Sequence, residues 1–258
     1  MQGYCSRHAA SAQEAARFTG TRAFDTPGEL LAACDVLFLT VPDGCISPVF
    51  EGLRRLSIEN KCICHCSGAL SAADALPGVG ESGAFGYSVH PLFAVSDRYR
   101  AYEELPDVFF ALEGHPGRLE AMRGMLAGAG LSVRVIDPAC KTRYHAAAAM
   151  ASNLMVGLAE ESLRLLESCG FPPGDALRAL GPLMAGNMRH VAADGPAASL
   201  TGPVERDDVG TVRKHLAALP AGDVRELYRL LSRTLVRVAR EKHPERDYTE
   251  MTELLKGE

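Results

Sequence analysis

The segment KCICHCSGAL, residues 61–70, places cysteine at every second position around a histidine and then runs into Ser67, Gly68 and Ala69. Successive side chains of an extended chain point to opposite faces, so the three cysteines share one face and the two residues between them share the other. The spacing therefore predicts a buried β-strand that ends in a loop of small residues.

A metal site and a disulfide cluster are the alternatives for these cysteines. Alternate residues on one strand face lie roughly 6.5–7 Å apart, which is wide for thiolates that must each reach one zinc ion at about 2.3 Å. The eight cysteines are scattered from Cys5 to Cys169 without a framework spacing, and a chain of this length needs no disulfides to build a core. We therefore expect reduced cysteines, a cytoplasmic protein and no metal ion.

Charge and hydropathy argue against two classes of partner. The chain has 27 basic and 32 acidic residues and only 6% aromatic residues, so it has neither the basic field nor the stacking platform of a nucleic-acid-binding protein. The stretch MQGYCSRHAASAQEAA has no apolar run typical of a signal peptide, and the apolar stretch at 36–41 is too short to span a bilayer. We expect a protein that acts on a small molecule, with no membrane or nucleic-acid partner.

The periodicity of the sequence changes near residue 140. Before this point short apolar runs alternate with helical periodicity, and after it only helical periodicity remains. Alternating strands and helices predict an α/β fold with a doubly wound sheet at 1–139, followed by an all-α domain at 140–258. The predicted strands are 35–41, 61–66, 83–89, 108–113 and 131–136.

Polar and small residues collect where three of these strands end. Val41, Pro42 and Asp43 follow the first of them, 67–69 follow the second, and His90 follows the third. Ligands of a doubly wound sheet lie at the carboxyl ends of its strands, and glycine lets a ligand approach the backbone closely. The sequence therefore predicts a ligand site at these strand ends.

The first residues have the pattern of the second strand of a dinucleotide-binding fold. Ser6 and Arg7 stand between a short extended run and a helical one, where an acidic residue would bind a free ribose hydroxyl. Arginine suits a 2′-phosphate instead, which favours NADP over NAD; the alternative is an ordinary solvated arginine. The first strand and its G-x-G-x-x-G loop are expected to be missing from the chain.

A polar face runs along the helix predicted to begin near residue 141. At about 100° per residue, Lys141, His145 and Ser152 fall on one narrow face, and Asn153 lies roughly 80° round from His145. Lysine or histidine could donate a proton to a carbonyl or imine, and asparagine could orient a substrate. The alternative is a surface patch beside close helix packing.

A second polar segment, LTGPVERDD at 200–208, lies among the later helices. Arg206 is a candidate for binding a substrate carboxylate because its guanidinium fork matches that group. Asp208 could simply cap the helix predicted over 209–219, and His215 could simply pack.

Six stretches together resemble the bacterial family that joins a Rossmann-like domain to the domain of unknown function DUF2520. This family lies within the larger group related to 6-phosphogluconate dehydrogenase and pyrroline-5-carboxylate reductase. The order and spacing of the stretches, which span nearly all of the chain, carry the resemblance. They are CSR at 5–7, LTVPD at 39–43, HCSGAL at 65–70, GYSVHPL at 86–92, KTRYHAAAAMASN at 141–153 and LTGPVERDD at 200–208.

The resemblance implies a Rossmann-like fold and an NADP cofactor whose nicotinamide half lies near Val41, Pro42 and 67–69. It implies a homodimer formed through the helical domain. It also implies a substrate cleft between the domains, lined by His90, Lys141, His145 and Asn153.

Two positions depart from the pattern of this group. Lys141 and His145 have the spacing of the Lys-x-x-x-Asn helix of related hydroxyacid dehydrogenases, with histidine in place of the asparagine. Asp207 occupies the place of a usual glycine. Lysine as the proton donor therefore does not transfer directly to this chain.

Three hypotheses of function follow. The first is an NADP-dependent oxidoreductase that reduces a small carbonyl or imine acid. The second is a sensor that binds a nucleotide or small acid without turnover. The third is an incomplete chain that has lost the ability to bind the cofactor.

Overall fold

The computed structural model describes residues 1–95 and 97–256. They form two compact units that divide between Leu154 and Met155. This division falls later than the predicted boundary at 139/140, because the helix that begins at Lys141 belongs with the first unit. No helix of the described residues is long and apolar enough to cross a membrane.

The first unit alternates strands and helices. Its strands are β1 (Gly3–Tyr4), β2 (Arg22–Ala23), β3 (Val36–Leu39), β4 (Cys62–His65), β5 (Phe85–Pro91), β6 (Phe109–Gly114) and β7 (Ser132–Val135). Its helices are α1 (Ala9–Thr19), α2 (Pro27–Ala33), α3 (Asp43–Leu53), α4 (Ala72–Ala75), α5 (Leu119–Gly128) and α6 (Lys141–Ala151).

The remaining elements are all helical. They are α7 (Asn153–Ser168), α8 (Pro173–Ser199), α9 (Val209–Ala218), α10 (Asp223–Lys242) and α11 (Thr249–Leu254). Helix α7 begins at the end of the first unit and continues into the second. Residues of α9, α10 and α11 form the core of the second unit, which includes Val212, Val236 and Met251.

Five strands form one sheet in the order β3-β4-β5-β6-β7. Neighbouring strands are parallel except for β5 and β6, which are antiparallel. The predicted fold class, an α/β sheet followed by an all-helical region, is confirmed.

Strands β1 and β2 form a separate parallel pair. Within the described residues β3 pairs only with β4, so β1 and β3 share no backbone ladder. The neighbours of the strand that was expected to be missing therefore do not pair directly with each other. Strands β1 and β2 form one sheet, and β3 to β7 form another.

The strand β4 is buried on both faces, as the alternation of its sequence predicts. Ile63 packs in a cluster with residues of α2 and α3 on one face of the sheet. Cys62 and Cys64 pack in a second cluster with residues of α5 on the other face. The two cysteines act as small apolar side chains, and all eight cysteines of the chain are free thiols.

Three local expectations are wrong. Helix α3 begins at Asp43, which was expected in a loop, because Pro42 takes the N-cap position. Strand β5 continues through His90 to Pro91, because antiparallel pairing with β6 extends it. The helix predicted to run on from Lys141 is interrupted at Ser152, whose φ and ψ are −125° and −82°.

The expectation that the chain lacks the G-x-G-x-x-G spacing is also wrong. The spacing occurs once, as GVGESG at 78–83. It forms a short 3₁₀ turn at Gly80–Ser82 between α4 and β5. A dinucleotide fingerprint requires a strand before the glycines and a helix after them, and this segment has the reverse order. It is a turn into β5.

Candidate active site

Ser67 fixes the loop that follows β4. Its hydroxyl donates a hydrogen bond to Asp43 Oδ2 at 2.7 Å and accepts hydrogen bonds from the N–H groups of Ala69 and Leu70 at 3.2 and 3.1 Å. The loop after β4 is thereby tied to the first residue of α3. Two of the predicted cofactor-binding residues, Asp43 and Ser67, are in direct contact.

Lys141 lies at the start of α6 with its side chain buried. It is 2% exposed, and its ammonium donates a hydrogen bond to Ser88 Oγ at 2.6 Å. Ser88 is fully buried and in turn donates to the carbonyl oxygen of Ser67 at 3.3 Å. A continuous hydrogen-bonded path therefore joins α6 to the loop after β4.

Glu113 is the buried carboxylate nearest in the sheet to this path. It lies directly opposite Ser88 in the ladder between β5 and β6, is 1% exposed and accepts a hydrogen bond from the N–H of Ala72 at 2.8 Å. Burial raises the pKa of Glu113, an effect opposed by the Ala72 N–H and then by Lys141. Burial lowers the pKa of Lys141, and Glu113 and then Asp43 oppose that shift. Each charge therefore makes burial of the other less unfavourable.

His90 and Tyr144 form a hydrogen-bonded pair beside Lys141. The distance from His90 Nδ1 to the Tyr144 hydroxyl is 2.8 Å, and the two rings are nearly perpendicular at 88°. Burial, then Lys141 and His145, lower the pKa of His90 to about 4. Burial raises the pKa of the Tyr144 hydroxyl. His90 is therefore a neutral imidazole at physiological pH, and Tyr144 is a neutral phenol.

Gly68 leaves the space into which two imidazoles point. A Cβ atom on this residue would lie 2.6 Å from His145 Nδ1 and 2.7 Å from His90 Nε2. A side chain here would have to displace both rings, so glycine allows the two imidazoles to approach the loop closely. His145 itself is exposed.

His65 contacts the loop that follows β4. It is fully buried, and its Nδ1 accepts a hydrogen bond from the N–H of Ser67 at 3.2 Å. Burial, and then Lys141, lower the pKa of His65 to about 4. Its neutral ring anchors the loop.

The remaining predicted residues are outside this cluster of contacts. Ser6 and Arg7 are exposed between β1 and α1, and Ser152 and Asn153 are exposed at the junction of α6 and α7. Arg206 is exposed in the second unit. The structure thus brings together part of the predicted set, which consists of Asp43, Ser67, Gly68, His90, Lys141 and His145.

Sequence reasoning missed four residues of the cluster, namely His65, Ser88, Glu113 and Tyr144. Glu113 carried a usable signal, because a lone carboxylate in the apolar run VFFALEG is costly to bury unless it has a partner. Ser88 is a small polar residue within a strand, and the sequence carries no sign of its contact with Lys141. Tyr144 adjoins His145 on α6 but was not included among the candidates.

Ser6 and Arg7 provide a hydroxyl and a guanidinium before the N-terminus of α1, and arginine suits the 2′-phosphate of NADP. At the predicted nicotinamide end, the imidazoles of His90 and His145 occupy the space beside Gly68. The N-cap of α1, His8, makes no side-chain capping hydrogen bond, so the first N–H groups of that helix are not capped by it. No segment with the strand, glycine turn and helix order is described, so we assign no residue to the pyrophosphate.

Comparison with known proteins identifies the domain. Residues 108–235 match the family described as domain of unknown function (DUF2520). The structure of protein TM1727 from Thermotoga maritima is similar with a TM-score of 0.73 and 29% identity, over 92% of this chain and 90% of that one. Among curated proteins, none matches this sequence.

Two further solved structures share the fold at lower identity. Protein BF3122 from Bacteroides fragilis, described provisionally as an NADP oxidoreductase, has a TM-score of 0.61 and 21% identity, over 92% of this chain and 88% of that one. A reductive aminase from Aspergillus terreus, in complex with NADPH and ethyl levulinate, has a TM-score of 0.58 and 16% identity, over 98% and 90% of the two chains. The fold is that of Rossmann-like proteins. The match of residues 108–235 to the DUF2520 family confirms the resemblance carried by the six sequence stretches.

Proposed function

We propose that this chain is an NADP-dependent oxidoreductase that reduces a small carbonyl or imine acid. The observation that carries the proposal is the neutral imidazole of His90 beside Gly68, backed by the buried Lys141 and Glu113. Reduction of a carbonyl or imine requires a group that can donate a proton, and His90 places one at the loop proposed to hold the nicotinamide half. The fold shared with a reductive aminase solved with NADPH supports the same reaction class.

The two groups of predicted cofactor-binding residues have distinct roles in this proposal. Val41, Pro42, Asp43 and 67–69 hold the nicotinamide half, and Ser6 and Arg7 hold the 2′-phosphate. Bound NADPH would supply the hydride. The chain's own residues orient the substrate and supply the proton.

The substrate-binding residues remain predictions from sequence. His145, Ser152 and Asn153 are proposed to contact the polar atoms of the substrate, and Arg206 stays a separate candidate for binding a carboxylate. These side chains are exposed, so they are accessible to a solute. The eight free thiols favour a cytoplasmic location, where cysteines stay reduced.

Calorimetric titration of the full chain with NADPH and with NADH tests the cofactor assignment. We expect saturable binding with a clear preference for NADPH. Arg7→Ala should reduce that preference about tenfold, because it removes one charge-assisted contact with the phosphate. Arg17→Ala changes an exposed arginine in the last turn of α1, the helix that follows Arg7. It is the matched control and should leave the preference unchanged.

Absence of binding by the folded chain would contradict the proposal. NADPH binding that is tight and saturable but gives no turnover with 2-oxo acids, with or without ammonia, would instead favour a sensor. One observation already favours that second candidate: the described residues contain no fingerprint segment in the strand, turn and helix order.

We also propose that the protein is a homodimer formed through its helical region. Helix α7 has no buried residue, and Ala176 is the one buried residue of α8. Large apolar side chains that stay exposed in quantity mark contact surfaces. Those exposed on α7 and α8 are Leu154, Met155, Val156, Leu158, Leu177, Leu183 and Met188.

Light scattering after size-exclusion chromatography tests the dimer. We expect the mass of two chains for the unmodified protein and the mass of one chain for a Val156→Arg, Leu183→Arg double variant. Leu92→Arg, which changes an exposed leucine of the first unit, should remain a dimer. A monomeric unmodified protein would refute the proposal.

A further inference from the structure

The side chain of Lys141 is enclosed by the protein. It is 2% exposed, and its ammonium donates to Ser88 at 2.6 Å. The same nitrogen lies 5.6 Å from the centroid of the Tyr144 ring. A lysine that is enclosed and already hydrogen-bonded is poorly positioned to give a proton to a substrate, because proton donation requires direct hydrogen-bond reach.

His90 lies on the side of the site that faces Gly68. One ring nitrogen, Nδ1, is engaged by the Tyr144 hydroxyl at 2.8 Å. The other, Nε2, lies 2.7 Å from the position of a Cβ atom added to Gly68. The free nitrogen of His90 therefore points at the loop that the proposed function assigns to the nicotinamide half.

We propose that His90 and Tyr144 form the proton-donating pair of this site, and that Lys141 is a positioning residue held behind them by Ser88 and Glu113. The inference rests on the proposed function for the reaction that the pair serves. It assigns the catalytic proton to a histidine that sequence reasoning assigned only to substrate binding, and to a tyrosine that it did not single out.

The proton inventory of the step balances. The N–H bond at Nε2 of His90 would break and an O–H or N–H bond would form on the substrate; bound NADPH would supply the hydride to the substrate carbon. Nδ1 takes the hydroxyl proton of Tyr144, so His90 stays neutral in its other tautomer. The phenolate that remains lies near the Lys141 ammonium. A solvent proton taken up at Nε2, with return of the Nδ1 proton to the phenolate, restores both the phenol and the resting tautomer.

This direction of transfer requires one tautomer in the resting protein. The ring must carry its hydrogen on Nε2, so that Nδ1 accepts from the Tyr144 hydroxyl. The titratable groups that act on the pKa of His90 are Lys141 and His145 from α6 and Asp43 from α3. His65 of β4 is affected by Lys141, Asp43 and His90. The two cationic or basic groups of α6 disfavour a protonated ring, and Asp43 alone opposes them.

Nitrogen-15 NMR of the histidine rings in the full chain tests the proposal without any bound cofactor. His90→Asn identifies the resonances of His90 among the eight histidines. We expect a neutral ring with its hydrogen on Nε2 from pH 8 down to pH 5.5. A ring with its hydrogen on Nδ1, or a mixture of both tautomers, would overturn the proposal.

Variants separate the roles of the two neighbours. Tyr144→Phe removes the hydroxyl that contacts Nδ1 of His90, so His90 should show a mixture of both tautomers. Tyr228→Phe removes the equivalent contact from His215 in the second unit and should leave the His90 tautomer unchanged. Lys141→Met should raise the titration midpoint of His90, because it removes the ammonium that disfavours the protonated ring. An unchanged midpoint would refute the role of Lys141.

Lys141→Met leaves Glu113 buried without its nearby cation, and that variant alone could fail to fold. The double variant Lys141→Met, Glu113→Gln removes both charges and is expected to fold and to show the same rise in the His90 midpoint. The outcome is separable from that of the proposed function. An unmodified chain that fails to bind NADPH but has the Nε2–H tautomer at His90 would refute only the oxidoreductase assignment. A chain that binds NADPH but has the Nδ1–H tautomer would refute only the proton-donating pair.

Discussion

Each of the two units contains a histidine hydrogen-bonded to a tyrosine, and the two pairs have almost the same geometry. His90 and Tyr144 in the first unit, and His215 and Tyr228 in the second, both have an Nδ1 to hydroxyl distance of 2.8 Å. Both pairs of rings meet at 88°, with centroids 5.6 and 5.8 Å apart. Geometry of the pair alone therefore does not distinguish a reactive site from a packing contact.

The surroundings of the two pairs differ. His90 has a buried lysine on one side and close contact with Gly68 on the other. His215 is exposed on α9 and contacts a tyrosine of α10. A charge held in a buried position beside the ring makes this hydrogen bond a candidate for proton transfer.

Removing the buried charge should have the largest effect on stability. Lys141→Met leaves Ser88 without its donor and Glu113 without its nearby cation, so we expect the free energy of unfolding to fall by about 3–5 kcal/mol. Urea unfolding measures the change. Lys214→Met, at an exposed position of α9, should change it by less than about 0.5 kcal/mol. Equal effects at the two lysines would show that Lys141 is not part of a buried charge network.

Low pH should weaken the first unit through His65. Its pKa is about 4 in the folded chain and about 6.5 in the unfolded chain, so the unfolded chain binds more protons between these values. This contribution to stability is full above about pH 6.5, decreases as the pH falls and is lost below about pH 4. It amounts to roughly 3 kcal/mol at most, and partly buried His90 adds a smaller term of the same sign.

Urea unfolding at several pH values measures this dependence. His65→Gln should flatten the decrease between pH 6.5 and 4. His190→Gln, at an exposed position of α8, should not. A slope that is unaffected by His65→Gln would contradict the assignment of a neutral, buried ring.

Removing one hydroxyl from each pair breaks the comparison directly. Tyr144→Phe should lower turnover of a 2-oxo acid with NADPH by about 100-fold, because the proton-donating pair loses its second member. Tyr228→Phe should leave turnover within about twofold of the unmodified protein. Similar losses in both variants would mean that the hydroxyls act on stability and not on the reaction.

Filling the space between Gly68 and His90 should have a moderate effect. Gly68→Ala puts a methyl group 2.6–2.7 Å from two ring nitrogens, so both rings must move. We expect the free energy of unfolding to fall by about 1–3 kcal/mol. Thermal unfolding and the ring resonances of His90 report the two consequences. Gly44→Ala is the matched control, because nothing lies within 4 Å of its added Cβ. An unshifted His90 resonance in Gly68→Ala would mean that the ring lies elsewhere.

The strands and their order of alternation were predictable because they depend on short-range patterns. The run CICH alternates toward two cores and is buried on both faces, as the period of 2 requires. The change to purely helical periodicity predicted the later region for the same reason. The ends of elements were less predictable, since pairing with a distant strand extends β5 through His90 and Pro91.

The sequence by itself determined the fold class and the resemblance to the DUF2520 family, and it singled out six of the residues that the structure brings together. It identified Lys141 and His145 because they share a helix face, and 67–69 because small residues follow a buried strand. Only the tertiary structure decided that Lys141 is buried against Ser88, that Glu113 faces the same ladder position and that Tyr144 holds His90. These contacts join residues far apart in the chain across a sheet with one antiparallel pair, and no local pattern encodes which side chains meet there.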